Sequence, residues 1–467
     1  MDLTGRVAEP TERASAAVRA LAAAASEGSS LAGHGSFLAQ WGLFRGVAAA
    51  DSVRDRVSGI DPAAVPFDRD SSLWVFGARG GSAFADNAKY LFLHVAADHP
   101  EIRPVWLSKD PDVVRTLQAA GFEAYRSCSP RGLLLTLRAG AVFLTQGHRD
   151  LAMPATAGAF TVLLWHGVPL KRISWDAGFR DLPAAVRAGH ADMAGEFDLL
   201  TVPGAGVADA FASGLRIDRH RMVLAGYPRN DALFGPIPGE GIGLDGGALA
   251  RIRALATDQS LVFYLPTFRE WTDESPADRL DFDALDAFLA ERAATLVVKT
   301  HPRDTVALPD GLRQVVQLPE GADVYPFLRH ADALVTDYSS IYFDYLLLDR
   351  PVVFHAYDLD EYRARRGFYF DYESVAPGPV ARTFDGLLAG LDRALDPTDD
   401  PDADRRAAVR ERLLGADPAT VGGTKSPEGK ATTDSGRSTG CAPPTSRSAA
   451  VARLVRRRLA VRNAESR

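Results

Sequence analysis

The chain has 467 residues, 46% of them hydrophobic, with 41 Gly and 29 Pro. That is enough for two core-bearing domains, since a single core stops growing near roughly 250–300 residues. A net charge of −7 argues against a nucleic-acid binder, and the two cysteines, Cys128 and Cys441, match no metal or redox spacing and suit a reducing compartment. No run reaches the length of about 20 apolar residues that spans a bilayer. The start of the chain joins no basic segment to an apolar one, so the expected location is cytoplasmic.

Charge is unevenly spread. From Asp417 onward ten Lys/Arg face four Asp/Glu, so the tail is basic and the remainder acidic. Residues 1–70 read as a helical extension, with an Ala-rich stretch from Ala14 to Ser26 that favours helix by propensity. From Ser72 onward, short β-branched or aromatic runs alternate with amphipathic segments. The strands are expected at Leu73–Phe76, Pro104–Leu107, Ala141–Leu144, Thr161–Leu164, Leu199–Val202 and Met222–Ala225, with helices at Ala85–Ala97 and Pro111–Ala120. A Gly/Pro-rich connector, Gly235 to Gly247, precedes a second series at Leu261–Leu265, Leu296–Lys299, Ala333–Thr336 and Val352–Phe354.

Buried runs separated by helices predict parallel α/β sheets. Two doubly wound halves place a ligand cleft at the carboxyl ends of their strands. The expected division is a helical extension over 1–70, one Rossmann-like domain over 71–240, a second over 241–412, and a low-complexity basic tail over 413–467. Residues 415–449 are rich in Gly, Ser, Thr and Pro and are expected to be disordered. Val451 to Val461 predicts a helix with Val451, Leu454, Val455 and Leu459 on one face and Arg453, Arg456, Arg457 and Arg458 around it. Such a helix suits an anionic membrane surface, a docking site or a loose terminus.

Three strand ends carry chemistry. Trp165-His166-Gly167-Val168-Pro169-Leu170-Lys171 closes one strand with an imidazole suited to proton transfer, and Lys171 offers a point charge for phosphate. Lys299-Thr300-His301-Pro302-Arg303 gathers three potential cations at a strand end of the second half, as a departing diphosphate requires. Thr336-Asp337-Tyr338-Ser339-Ser340 sets hydroxyls and backbone N–H groups at a strand-to-helix turn, a phosphate site or simply a helix cap. No Walker loop and no G-x-G-x-x-G fingerprint is present, which excludes the usual ATPase and dehydrogenase patterns.

Together with Asp86-Asn87-Ala88-Lys89-Tyr90, Gly226-Tyr227-Pro228-Arg229-Asn230-Asp231, Pro266-Thr267-Phe268-Arg269, Asp349-Arg350-Pro351 and Arg366-Gly367-Phe368-Tyr369-Phe370-Asp371, these segments run collinearly over about residues 73–395. The ordered set resembles the CDP-glycerol glycerophosphotransferase family of teichoic-acid-type polymerases and primases. The resemblance implies a glycosyltransferase-B-like fold and a CDP-linked polyol donor held by the second half. It also implies a lipid-linked or polymer acceptor and peripheral membrane contact. The motifs contain no acidic metal cage, so no tightly held metal is expected.

By the same matching, His166 is the candidate base and His301 the group that stabilises the diphosphate. Thr336, Ser339 and Ser340 line the phosphates, and Asp337 fixes the turn or the donor polyol. Lys299, Arg303, Arg229, Asn230, Thr267 and Arg269 are further donor contacts, and Gly167 and Lys171 lie on the acceptor side. The family's usual closing segment has no clear counterpart beyond Arg412. Two alternatives stay open: a nucleotide-sugar glycosyltransferase of the same fold, and a degenerate, non-catalytic member.

Overall fold

The computed structural model describes residues 33–56, 69–300, 308–396, 398–415 and 446–465. The helix expected at Ala14 to Ser26 and the residues His301 and Arg303 lie outside them. Within them stand two all-parallel sheets. The first contains β1 (Asp70–Phe76), β2 (Arg103–Ser108), β3 (Ala124–Arg126), β4 (Ala139–Leu144), β5 (Phe160–Leu163), β6 (Leu199–Val202) and β7 (Met222–Leu224) in the order β3-β2-β1-β4-β5-β6-β7.

The second contains β8 (Ser260–Tyr264), β9 (Ala294–Val298), β10 (Val315–Gln317), β11 (Ala333–Thr336), β12 (Val352–His355) and β13 (Val380–Ala381) in the order β10-β9-β8-β11-β12-β13. Strand order reverses between β1 and β4 and again between β8 and β11. Open α/β sheets leave room for a ligand at such points, where successive helices part to opposite faces. The fold is thus the expected pair of Rossmann-like domains in a glycosyltransferase-B-like arrangement. Strands β3, β10 and β13, of two or three residues each, were not among the expected strands.

The central strands β4, β5 and β6 are buried along their whole length, which explains their uninterrupted apolar sequence. Short polar residues start the flanking helices. The Asp110 side chain accepts from Asp112 N ahead of Pro111, and Ser129 accepts from Gly132 N ahead of Pro130. The first described helix, Gly33–Arg56, buries Phe37 and Phe44 against Met153, Val186 and Met193 of the first domain.

Two segments after the second sheet return to the first. Helix Ala403–Leu414 holds buried Arg406 against Asp400 and Asp349 of the second domain. Its last turn lies on Gly204 and Gly206 of the first, where a Cβ would stand 2.4 Å from Leu413 O and 2.0 Å from Arg412 O. Only glycine permits that approach.

Helix Arg447–Glu465 contains the residues expected to be helical from Val451. Its apolar face is spent on the fold: Val451, Ala452, Val455 and Leu459 are buried in the core of the first domain. The docked alternative therefore describes this helix, and its apolar side is unavailable to a membrane. Asp231 caps it, accepting from Ser446 Oγ (2.8 Å), Arg447 N (2.8 Å) and Ser448 N (2.9 Å). No described helix is long and apolar enough to cross a membrane.

Candidate active site

The loops after β1, β4 and β5 face those after β8, β9 and β11. β5 ends at Leu163, and Trp165 takes a left-handed φ of 56° that turns His166 out of the sheet. The half-buried His166 ring lies against Trp165, with centroids 4.2 Å apart, and its Nδ1 sits 3.1 Å from Thr145 O. A carbonyl can only accept, so Nδ1 carries the proton and Nε2 presents a bare lone pair. Burial lowers the His166 pKa, with Arg229 and Arg79 acting the same way against the opposite pull of Asp86. The ring is therefore neutral near pH 7 and equipped to accept a proton.

Gly167 continues this loop with φ 148°, and a Cβ there would meet Ser340 Oγ of the second domain at 2.5 Å. The two halves thus touch where the first proposed base stands beside the Ser339-Ser340 turn. Both serines are half-buried. The helix that follows is only Ile341–Tyr345, and Ser340 makes no side-chain cap on it.

Other expected contacts have structural partners. Thr336 is fully buried and donates its hydroxyl to Leu265 O at 2.6 Å. Asp337 is buried and accepts from Thr267 N (2.9 Å), Arg269 Nη1 (2.7 Å) and Tyr338 N, so it fixes the turn after β11. Arg269 also grips Asp358 with two bonds of 2.9 Å. Thr267 Oγ1 is buried and has no hydrogen-bond partner.

Arg229 is buried between carboxylates of both domains. Its Nη1 donates to Asp86 Oδ1 (2.7 Å) and His166 O (2.9 Å), and its Nη2 to Asp344 Oδ2 (2.6 Å). Asn230 Nδ2 donates to the same Asp344 at 3.1 Å, and Tyr325 OH at 2.6 Å. Arg229 and Arg269 accordingly hold loops in place through these carboxylates. Lys89 behaves likewise: fully buried, it donates to Asp323 Oδ2 (2.8 Å) of the second domain and to Glu240 O (2.7 Å). The Asp86–Tyr90 segment is an interdomain lock.

Three further cations stand on the loops after β1, β5 and β9. Lys171 is half-buried, 6.0 Å from the Tyr362 ring centroid, and burial pulls its pKa down to about 8, with Arg366 and Arg269 also lowering it and Asp337 raising it. Lys299 follows β9, and its pKa is likewise lowered by burial, then by Arg79, against Asp323. Arg79 itself escaped the sequence reading. It follows β1 in a left-handed turn (φ 49°), donates its N–H to Thr145 Oγ1 and pairs with no carboxylate among the described residues. Its position directly after an α/β strand was the one available signal. A polar crevice of about 880 Å³ lies between Arg172 and Asp176 of the first domain and Arg363, Arg366 and Asp371 of the second.

Beneath these loops, buried Asp150 accepts from Gly80 N (2.6 Å), Thr145 N (2.6 Å) and Gln146 N (2.8 Å), tying the turn after β1 to the turn after β4. Burial raises its pKa and these N–H bonds lower it.

Comparison with known proteins identifies the family. The teichoic acid poly(glycerol phosphate) polymerase of Staphylococcus epidermidis is 28% identical over 341 residues, covering 68% of this chain and 45% of that protein. The teichoic acid glycerol-phosphate transferase of Staphylococcus aureus is 26% identical over 69% of this chain and 84% of its own length. The chain spans about half the length of the poly(glycerol phosphate) polymerases of S. epidermidis and Bacillus subtilis that it matches. The structure of the wall teichoic acid polymerase TagF superposes with a TM-score of 0.65 over 90% of this chain and 95% of that one, at 22% identity, a likeness of fold. The sequence profile described as CDP-Glycerol:Poly(glycerophosphate) glycerophosphotransferase matches residues 63–418, three quarters of the chain and both sheets, and the chain belongs to that family.

Proposed function

We propose that the chain transfers a polyol phosphate, glycerol phosphate in the first instance, from a CDP-linked donor to an acceptor hydroxyl, releasing CMP. The observation that carries this reading is His166. Its ring is held by Thr145 O so that only Nε2 is free, and it stands where Gly167 meets Ser340 of the other half.

In the proposed step Nε2 takes the acceptor O–H proton as that oxygen attacks the phosphorus bonded to the polyol. The bond from this phosphorus to the bridging oxygen breaks, and CMP leaves with the electron pair. Lys299, Arg79 and Lys171 surround the gap with positive charge that offsets the phosphates, and the Ser339 and Ser340 hydroxyls donate to their oxygens. His301 and Arg303 belong to the same strand-end segment as Lys299 and are assigned to the diphosphate side. Arg229 and Arg269 position these loops through Asp86, Asp344, Asp337 and Asp358.

The acceptor class, a polymer or lipid-linked alcohol, follows the family. Peripheral membrane contact is assigned to the exposed arginines Arg453, Arg457 and Arg458 of the terminal helix.

The test is CMP release from CDP-glycerol, with CDP-ribitol and a UDP-sugar alongside, for the wild type, His166→Ala and His301→Ala. Removing the base is expected to cost about 10²–10⁴-fold. Unchanged CMP release in His166→Ala, or release of UDP instead, would overturn the proposal.

A further inference from the structure

Arg79, Thr145 and His166 stand on the loops after β1, β4 and β5, and one buried carboxylate joins all three. Asp150 is fully buried at the end of a short turn, His148–Asp150. Its Oδ2 accepts from Thr145 N (2.6 Å), Gln146 N (2.8 Å) and Thr145 Oγ1 (3.2 Å), and its Oδ1 accepts from Gly80 N (2.6 Å). Such a set of donors suits the ionised, acceptor-only form of the side chain.

The bond from Gln146 reaches the base. Gln146 N–H and Thr145 C=O belong to a single trans peptide unit, a rigid plane in which the two groups point opposite ways. On one side the N–H donates to Asp150, and on the other the C=O accepts from His166 Nδ1 at 3.1 Å. The carboxylate therefore acts on the imidazole through one peptide. It fixes the tilt of that plane, and by polarising the N–H it makes the carbonyl a stronger acceptor. Both effects hold the proton on Nδ1 and keep Nε2 bare.

A second arm reaches Arg79. Thr145 Oγ1 gives its proton to Asp150 and accepts from Arg79 N (3.1 Å), while Asp150 Oδ1 holds the next N–H, that of Gly80. Arg79 has a φ of 49°, in the left-handed region that residues other than glycine avoid. These bonds grip the chain on either side of its Cα.

Close main-chain approach brings Asp150 within reach of both arms. A Cβ at Gly77 or at Gly81 would lie 2.8 Å from Asp150 O, so glycine is required at each. Behind the His166 loop the first domain leaves a cavity of about 480 Å³, lined in part by Gly80, Gln146, Asp150 and Trp165. The loops border open space there instead of close-packed core, so hydrogen bonds to Asp150 set their position.

We propose that Asp150 is a positioning residue for the transfer: one carboxylate holds the tautomer of the base and places the Arg79 guanidinium for the donor phosphates. The role in transfer rests on the phosphotransferase reading of His166, whereas the link from Asp150 to the imidazole does not.

Asp150→Ala and Asp150→Asn test it. The His166 ring is followed by nitrogen-15 shifts in histidine-labelled protein, assigned by difference from His166→Gln, and turnover by CMP release from CDP-glycerol. The wild type is expected to show one tautomer, with the proton on Nδ1. In Asp150→Ala the peptide plane is free to turn, so the Nε2–H tautomer appears beside it. There kcat falls about 10–100-fold and the donor KM rises about tenfold, the size of lost hydrogen bonds to a charged group. A change that only loosened the fold would lower the melting temperature and leave the tautomer and KM of the folded protein as they were.

Asp150→Asn keeps the side chain's shape, but its one acceptor oxygen cannot serve the N–H groups of Thr145, Gln146 and Gly80 together. It is expected to lose at least about tenfold in kcat/KM while its melting curve stays cooperative. Wild-type kcat/KM in Asp150→Asn, or an unchanged His166 tautomer in Asp150→Ala, overturns the proposal. An altered tautomer in Asp150→Ala, when the wild type itself releases no CMP, upholds the link to His166 and overturns the transfer reading instead.

Discussion

Asp344→Ala tests whether the two domains are held by a buried charge network. Asp344 is fully buried and receives three hydrogen bonds, from Arg229 Nη2 (2.6 Å), Tyr325 OH (2.6 Å) and Asn230 Nδ2 (3.1 Å). Arg229 in turn joins it to Asp86 at 2.7 Å, so the network runs from the first domain into the second. Removing one partner of a buried pair costs about 3–5 kcal/mol, because the remaining charge keeps its desolvation penalty without the Coulomb attraction. Here Asp86 still neutralises Arg229, which lowers the cost. Tyr325 and Asn230 lose a buried acceptor at about 1–3 kcal/mol between them, which restores it. The expected loss is thus about 4 kcal/mol.

Urea unfolding followed by tryptophan fluorescence and far-UV circular dichroism measures it. Asp344→Asn, which keeps an acceptor for Tyr325, should lie between the wild type and the alanine variant. Arg45→Ala breaks an exposed pair with Asp192 and should cost less than about 1 kcal/mol. A loss of under about 1 kcal/mol for Asp344→Ala, the size of that control, would refute the reasoning by showing that water reaches the network.

Four further outcomes are expected. In the pH profile of kcat/KM the acid limb should fall below pH 6.5, because burial lowers the His166 pKa and the base stays neutral further into acid. An acid limb at or above 6.5 would count against His166 as the base. Arg79→Ala should raise the KM for the CDP donor about 10–100-fold, the value of one charge-assisted phosphate contact, and an unchanged KM would remove Arg79 from the site. Gly167→Ala should drop activity strongly without unfolding the protein, since its Cβ would press on Ser340 Oγ; wild-type turnover would show that the halves part easily there. Replacing Arg453, Arg457 and Arg458 by Ser should release the protein from anionic vesicles in cosedimentation, and equal binding by the variant would assign membrane contact elsewhere.

The sequence by itself determined the alternation of buried strands and helices, and with it two doubly wound sheets. It also placed the polar motifs at the strand ends, because a run such as Leu163-Leu164 followed by Trp165-His166-Gly167 changes from buried to turn-forming within a few residues. What it could not show is which charges are already paired. Arg229 and Arg269 look like free phosphate ligands in a linear motif. Their carboxylate partners, however, are 115 and 143 residues from Arg229 and 68 and 89 residues from Arg269.

The same limit applies to the terminal helix. Its amphipathic period fixed which face is apolar, while only the packed structure decided that the face meets the first domain, with Asp231 as its cap. The cavity behind His166 had no sequence signature at all. Its walls come from eight separate segments between Phe37 and Ile217, and a void exists only where the tertiary arrangement leaves their side chains short of contact.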